Sequence, residues 1–534
     1  MSSSIHAFLN ANTAYCAGIP AGPVSEGEIL VDCLVGHPGY LLGNLYIARY
    51  LQSLRGGRLR ALVAQTQPTM NAILKSFGVV SAFPEDKFLQ QANPRSDQLA
   101  RAVIGELGAP ELSPAERRKR LLALRLDGIE IGDLIYDSYL RDTGNVTVTD
   151  LTAELRERIV IAFRYFFAYA EIVQRNPINY VVVGHTVYSR FGMLVRIAIK
   201  HGAMVVARKP ASNRVVIRLY DAAHPQDNHE KHVPHADLGR LLKDRQGTLS
   251  AEGRRLAETT FADPEPESRG SGQASLPDGV LDEVLAETGA DRPVVAVFSH
   301  CFTDANHYSA SMLHDDYYHW LRDTIAYALN DPSKTWLIKG HPHAVHYKEK
   351  MTVSELVAEM AQGASHVRLV PEQVTVAQLA PRLSAIVANA GSVCVEGPMF
   401  GVPTISAGLG IWSGYGFDHV AHTLEQYYDL LECAGALPAV TEDQRELAFA
   451  LYALVRNEIS VTSAILPEIT DVWWKSIDVD AVFAHAAQRL AEVDYLSDPF
   501  YRALANGLEE GGSILLPAES APMAAPAELT STVA

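Results

Sequence analysis

The sequence predicts an α/β protein built from two doubly wound domains that face one another across a cleft. Three observations carry this expectation. Short apolar runs alternate with helical segments in both halves of the chain, at 28–35, 59–63, 180–183 and 203–207, and again at 294–298, 335–339 and 385–388. Several of these runs end in polar turns: Gly36-His37-Pro38-Gly39, Gly184-His185-Thr186, Ser299-His300, Lys339-Gly340-His341-Pro342 and Asn389-Ala390-Gly391-Ser392. A stretch rich in proline, glycine and serine, 262–279, separates the two series.

Taken in order, 28–35 reads as a buried strand, 40–54 as a helix and 59–63 as the next strand, a β-loop-α-β start. Residues 100–126 read as mostly helical, with a charged stretch at 115–120, and 150–174 as a long amphipathic helix rich in aromatics. A strand at 180–183, a helix at 189–200 and a strand at 203–207 complete a first domain over 1–260. A linker at 261–280 leads to a second domain over 281–470, with strands at 294–298, 335–339 and 385–388 and a helix at 315–329. Residues 471–510 read as helices that could cross back to the first domain, and the Ala/Pro/Ser-rich tail 511–534 as disordered.

Composition sets the outer bounds. A chain of 534 residues is too long for one core. Hydrophobic residues make up 48 % and charged residues 20 %, an ordinary globular balance. The net charge of −17 argues against a nucleic-acid partner, whose footprint is a basic stripe. It leaves room for an anionic substrate in a local basic cleft. The cysteines, Cys16, Cys33, Cys301, Cys394 and Cys433, are odd in number and form no CxxC pair, which points to a reducing compartment. Residues 1–12 lack a basic leader region, and no apolar run approaches the roughly 20 residues of a spanning helix. The expectation is a cytoplasmic protein, with peripheral contact to a membrane-bound substrate left open and the oligomeric state unspecified.

The candidate chemistry lies at the strand ends. Gly391 and Ser392 open a short helix, where backbone N–H groups, the helix dipole and a hydroxyl favour a phosphate. Glu396, one turn on, is placed to accept hydrogen bonds from ribose hydroxyls. Read alone, Ser392 is equally an N-cap and Glu396 a complement to the dipole. The neighbouring loop turns the pair toward a nucleotide: Pro342 stiffens it, His341 can bond a base or phosphate and supply positive charge, and Lys339 is a point charge for phosphate. His341, His343 and His346 are close enough to suggest a metal, but no HExxH or paired-aspartate spacing supports one. His229, His232 and His235 fall in a polar loop and read as solvated. In 132–141 the apolar residues do not separate into helix or strand. Within it Asp137 could be a general base or nucleophile and Arg141 could hold an anionic sugar group, or the two could be a plain i,i+4 pair. His37 and His185, both at strand ends, are further candidate bases.

These three elements, in this order, resemble the bacterial capsular polysaccharide glycosyltransferases of the GT-B fold, and within them the β-Kdo transferase group. Polysialyltransferases are more distantly similar. Lys339-Gly340-His341-Pro342 matches the family's Lys-x-His-Pro motif, Ser392 to Glu396 matches its donor helix, and Ala407 to Gly416 resembles its Gly/aromatic loop. Tyr136-Asp137-Ser138 looks like the acidic Glu-Asp-Gly motif, with Tyr136 in place of Glu and Ser138 in place of Gly. The resemblance spans roughly residues 130 to 420. It implies two Rossmann-like doubly wound domains and a cytidine nucleotide-sugar donor such as CMP-Kdo. It also implies a glycan or lipid-linked glycan acceptor, metal-independent transfer and no cofactor beyond the donor.

Three other readings fit the same cleft. A phosphotransferase acting on a CDP-polyol would use the same donor crevice. A sugar epimerase would not need a large acceptor surface. A catalytically inactive glycan-binding scaffold would bind no nucleotide.

Overall fold

The computed structural model describes residues 1–517 except 92, 211, 226–231, 263–278, 280–281, 284–285, 287–291, 309–310 and 470–476. Most of the expected linker, and the tail from 518, lie outside the described residues. The first sheet contains β1 (Glu28–Cys33), β2 (Arg58–Val63), β3 (Ser81–Pro84), β4 (Ile178–Val183), β5 (Met204–Lys209) and β6 (Arg214–Tyr220). Their spatial order is β3-β2-β1-β4-β5-β6, with β6 alone of these antiparallel to its neighbour. The second sheet contains β7 (Val294–Phe298), β8 (Thr335–Lys339), β9 (Val367–Val370), β10 (Ala385–Ala388), β11 (Thr404–Ser406) and β12 (His419–Val420). All are parallel, in the order β9-β8-β7-β10-β11-β12.

Each sheet therefore reverses its winding once, between β1 and β4 in the first and between β7 and β10 in the second. At such a point the connecting loops diverge to opposite faces and leave a crevice at the carboxyl ends of the strands. The central strands are buried on both faces, which is why they appear in the sequence as unbroken apolar runs. The carboxyl ends of the two sheets meet: Tyr188, just past β4, hydrogen-bonds to Asp304, just past β7. This is the GT-B architecture, two Rossmann-like domains facing a central cleft.

The expected helix at 100–126 is two helices, Pro94–Leu107 and Pro114–Leu122, each started by proline in its first turn and a side-chain cap from Asn93 or Ser113. The segment 132–141 is part of a helix, Gly132–Thr143. Its pattern is unreadable because it is buried on nearly every side, between the first core and the second domain. The chain also leaves the first core before residue 260. Val233 and helices His235–Leu242 and Gln246–Ala262 join the second core, where the latter packs along helix Glu442–Ala453.

Two C-terminal helices return to the first domain. Val479–Leu490 lies on helix Ser3–Gly18, with Phe8 and Phe483 at 5.1 Å, and Pro499–Glu510 lies on helix Pro38–Arg55, with Tyr50 and Tyr501 at 5.7 Å. Asp498 anchors this return. It is fully buried and accepts from Tyr50 Oη at 2.7 Å, Phe500 N at 3.1 Å and Ala464 N at 3.2 Å. No helix among the described residues is long and apolar enough to cross a membrane.

Asp498→Ala removes the acceptor of three donors, the Phe500 amide fully buried among them, and should cost about 3 kcal/mol, whereas Tyr50→Phe should cost about 1 kcal/mol. Denaturant melts of both variants check the ranking, and limited proteolysis should cut the alanine variant first between the two C-terminal helices.

Candidate functional site

The second domain's crevice is lined by the loops after β7, β8 and β10. Gly391 closes on His300: a Cβ at Gly391 would stand 3.4 Å from the imidazole Cε1, so the glycine turn and the ring form one wall. The preceding Ala390 is held at φ +63°, a left-handed conformation that costs a non-glycine residue about 1 kcal/mol or more. Ser392 is the N-cap of helix Val393–Met399, but its hydroxyl makes no capping bond. Glu396 is half-buried one turn on. The His300 ring stacks on Tyr317 at 4.4 Å, and burial lowers its pKa to about 4 against the opposing pull of the Asn389 backbone and Asp304.

His341 belongs to the same wall. Burial first, then the neighbouring His300, His343 and Lys339, hold it well below the ordinary histidine range, so the ring is neutral near pH 7. Its Nδ1 accepts from the His343 backbone N–H at 3.1 Å, which leaves the proton on Nε2. The Cys301 thiol, kept protonated by burial, lies 3.3 Å from the same Nδ1. His341 thus offers an N–H, not the positive charge expected from the sequence. Pro342 follows in the turn. Lys339 ends β8 and is 6 % exposed, with its ammonium 3.4 Å from the Gly340 carbonyl and 5.6 Å from the centre of the Phe298 ring.

The first domain brings helix Gly132–Thr143 and the loop after β4 to the opposite side. Asp137 reaches the domain boundary but does not present an open carboxylate. Its Oδ2 accepts from His307 N at 2.9 Å and its Oδ1 from His307 Nδ1 at 2.7 Å. His307 Nε2 donates to the Asp315 carbonyl at 2.9 Å, so both ring nitrogens face acceptors and the imidazolium satisfies them. Burial opposes this charge, but Asp137 outweighs it and the pKa of His307 rises to about 9. Arg141 places its guanidinium 4.2 Å from the centre of the Tyr347 ring, across the cleft. His185 stacks on Phe191 at 4.8 Å and lies 5.7 Å from the Tyr188 ring.

The two departures from the acidic motif also act at this boundary. Tyr136 Oη donates to Asp316 Oδ2 at 2.5 Å, and Asp316 also bonds His319 Nδ1 at 2.7 Å. Ser138 Oγ accepts from Ser189 N at 2.8 Å and so fastens the π-helical turn Tyr188–Gly192. Gly144 ends the helix at φ +72°, where a Cβ would stand 2.3 Å from the Lys348 carbonyl oxygen, and its own carbonyl accepts from Lys350 N at 2.8 Å.

Sequence reasoning passed over His307, Asp304, Tyr188 and Glu349. They carry no motif; their only signal is position, in the loops that follow β4, β7 and β8. Glu349 accepts from Thr303 N at 3.0 Å, and burial pushes its carboxyl up to about 7. His37 is an N-cap, its Nδ1 accepting from Tyr40 N at 3.3 Å. His229 lies outside the described residues. His232 is buried rather than solvated, whereas His235 is exposed as expected, and both rings lie against Tyr415, at 5.7 and 4.8 Å. Among the described residues no three His, Cys, Asp or Glu side chains form a metal-ligating group. A surface hollow of about 590 Å³, lined in part by Arg49, Lys75 and Gly56, lies at the amino ends of β1 to β3, the side away from both crevices.

No protein-family model and no curated protein matches the chain. Solved structures similar to it include the β-Kdo 2,4-transferase KpsC of Thermosulfurimonas dismutans, at 13 % identity over 58 % of this chain and 88 % of that one, with a TM-score of 0.32. Anabaena HepE in complex with UDP aligns at 13 % identity over 91 % of this chain and 100 % of that one, TM-score 0.25. The UDP-GlcNAc 2-epimerase of Neisseria meningitidis bound to UDP-GlcNAc aligns at 10 % identity over 87 % and 98 %, TM-score 0.21.

The Asp137–His307 pair makes a pH prediction. His307 faces Asp137, Asp133, the Asp315 backbone and the Tyr136 ring, and its folded pKa lies above the ordinary value near 6.5. Its stabilising contribution is therefore present in full below about pH 6.5 and is lost as pH rises through about 9. Wild-type melting temperature should fall between about pH 7 and pH 10 more steeply than that of His307→Gln. At pH 7 the variant should be less stable by about 3 kcal/mol, because a buried carboxylate loses its cation. Thermal melts across this pH range check both statements.

Proposed function

We propose that this protein is a glycosyltransferase that moves a sugar from a nucleotide-sugar donor to a surface glycan or glycolipid acceptor, with CMP-Kdo or another CMP-sugar as the donor to test first. The observation that carries the reading is the meeting of two topological switch points across one cleft, bridged by Tyr188 and Asp304. Two such crevices suit a reaction with two substrates, each held by its own domain and brought together at the boundary.

In this reading the second domain holds the donor. The Ser392 hydroxyl and the amides at the start of its helix take a phosphate, Glu396 takes the ribose hydroxyls, and Gly391 allows close approach of the nucleotide. His341 donates a hydrogen bond from Nε2 to the leaving phosphate, with Pro342 fixing the turn. Lys339 acts from beneath the loop, where its charge lowers the cost of a developing anion without surface contact. The first domain holds the acceptor. Arg141 takes an anionic sugar group, and His185 borders the acceptor crevice. Asp137, with both oxygens on His307, is a positioning residue for the boundary. No metal or cofactor takes part, and the acceptor is reached peripherally when it is membrane-borne.

Calorimetric titration of CMP, CDP, UDP and GDP, each with and without EDTA, tests the reading. Selective CMP binding that EDTA does not change is the expected result. His341→Ala should weaken it about tenfold, the equivalent of about 1.4 kcal/mol. Preference for another nucleotide would replace the CMP-sugar donor and keep the transferase, and binding of none would overturn the transferase.

A further inference from the structure

We propose that Asp304 is the carboxylate that takes the proton from the acceptor hydroxyl, held by Tyr188 and Tyr347 where the two crevices meet. The inference rests on the transferase reading and adds to it the group that performs the deprotonation.

Position is the first argument. Asp304 lies on the loop that leaves β7, the strand that opens the second domain's crevice. Tyr188 lies on the loop that leaves β4, which bounds the crevice of the first domain. The 3.3 Å bond from Tyr188 Oη to Asp304 Oδ1 therefore puts this carboxylate at the border of both substrate compartments. Tyr347, from the loop after β8, also hydrogen-bonds to it. An acceptor hydroxyl held by the first domain and an anomeric carbon held by the second have to meet at this border.

Access is the second. Of the carboxylates around the boundary, Asp137 is bonded through both oxygens to His307, Asp316 is buried between Tyr136 and His319, Asp315 pairs with Arg118 at 2.7 Å, and Glu349 is taken up by Thr303. Asp304 is exposed. A carboxylate has about four acceptor positions, and the two tyrosines occupy two of them. Tyrosine hydroxyls orient the carboxylate while leaving lone pairs for a substrate hydroxyl.

The third argument is the backbone. Ala305, the next residue, is held at φ +41°, Tyr188 at φ +64° and Lys348, next to Tyr347, at φ +20°. Half of the six non-glycine residues with positive φ among the described residues thus flank this one carboxylate. Such conformations persist where the surrounding structure needs a group in one place. Arg141, stacked over the ring of Tyr347, the tyrosine that bonds Asp304, adds a cation for an anionic sugar.

The step balances without a further reactant. The acceptor O–H proton passes to an Asp304 oxygen as the hydroxyl oxygen's electron pair forms the bond to the anomeric carbon. The bond from that carbon to the phosphate oxygen breaks, and its electron pair leaves on the nucleotide phosphate. Asp304 then returns its proton to solvent.

The test is nucleotide release from the sugar donor of whichever nucleotide the wild type binds, CMP-Kdo for CMP, with a panel of methyl glycosides and water as acceptors. Asp304→Asn should lower the turnover by about 10² to 10⁴-fold and leave the nucleotide Kd within about twofold, the expectation for a group that acts only on the acceptor. Added formate should restore part of the rate of Asp304→Ala, which a merely structural role would not allow. Turnover of Asp304→Asn above about a tenth of wild type at unchanged nucleotide affinity overturns the assignment alone, as does an Asp304→Ala loss that formate leaves untouched. A wild type that binds no nucleotide, or binds one and releases none from its sugar donors, overturns the transferase reading and this assignment with it.

Discussion

The placement of the second domain depends on a charge taken out of water at the boundary. Asp137 is buried on a helix of the first domain, and a buried carboxylate needs a cation or several donors to remain ionised. The second domain supplies both through one residue: His307 gives its backbone N–H and its ring Nδ1. The ring can do so as a cation because its other nitrogen meets the Asp315 carbonyl. Neighbouring contacts share the same geometry, from Tyr136 to Asp316 and from Arg118 to Asp315. A purely apolar interface, having no directional contacts, could slide by a residue at little cost. Paired and directional groups allow one register, and it is the register that puts the loop after β4 against the loop after β7.

That register explains the electrostatics of the cleft better than the net charge of −17 does. The protein as a whole repels anions, so an anionic ligand would have to be bound by local groups. The histidines that line the second domain's crevice are neutral: burial outweighs the opposing neighbours of His300, and at His341 burial and the neighbouring His300, His343 and Lys339 act together. The cationic histidine, His307, is committed to Asp137 and is not available to a ligand. Fixed dipoles, neutral N–H groups and the buried charge of Lys339 remain. Preorganised donors of this kind stabilise charge that develops during a reaction without binding counterions beforehand.

Much of this was legible in the sequence where one physical signal dominates. β7, β8 and β10 are buried on both faces, so their apolar runs and their observed limits coincide, at 294–298, 335–339 and 385–388. The turn after β10 and the His-Pro loop after β8 were legible as strand-end turns from their glycine, proline and polar residues, and both lie at the carboxyl end of the second sheet. Helix Gly132–Thr143 gave no period because two domains cover it, so the consecutive residues Leu134, Ile135, Tyr136 and Asp137 are all buried although together they span the helix circumference. Helix Gln246–Ala262 was assigned to the first domain because the conspicuous change in composition follows it, whereas its packing partner, Glu442–Ala453, is nearly two hundred residues away. Asp304 and His307 stand in a loop with no composition bias, and only the pairing of two strands distant in sequence gives them a place.

The connections between the domains limit how such a cleft can open. The chain leaves the first sheet after β6, at Tyr220, and returns to it at Val461, which pairs beside Val215 on that same strand. Both crossings are therefore at one edge of the first sheet. The return is made through a π-helical turn, Leu454–Glu458, held to β6 by Arg214 bonding the Asn457 carbonyl at 2.8 Å. Helix Pro499–Glu510 then clamps the returning segment to the first core through Asp498 and Tyr50. Separation of the domains has to bend the chain at this edge and break the polar contacts around Asp137, Tyr136 and Gly144 elsewhere. Covalent continuity on one side and reversible hydrogen bonds on the other are the conditions for a hinge, in which residues at element ends absorb the backbone change. The π-turn, with its wider and weaker hydrogen bonding, is the element at the crossing best suited to absorb it.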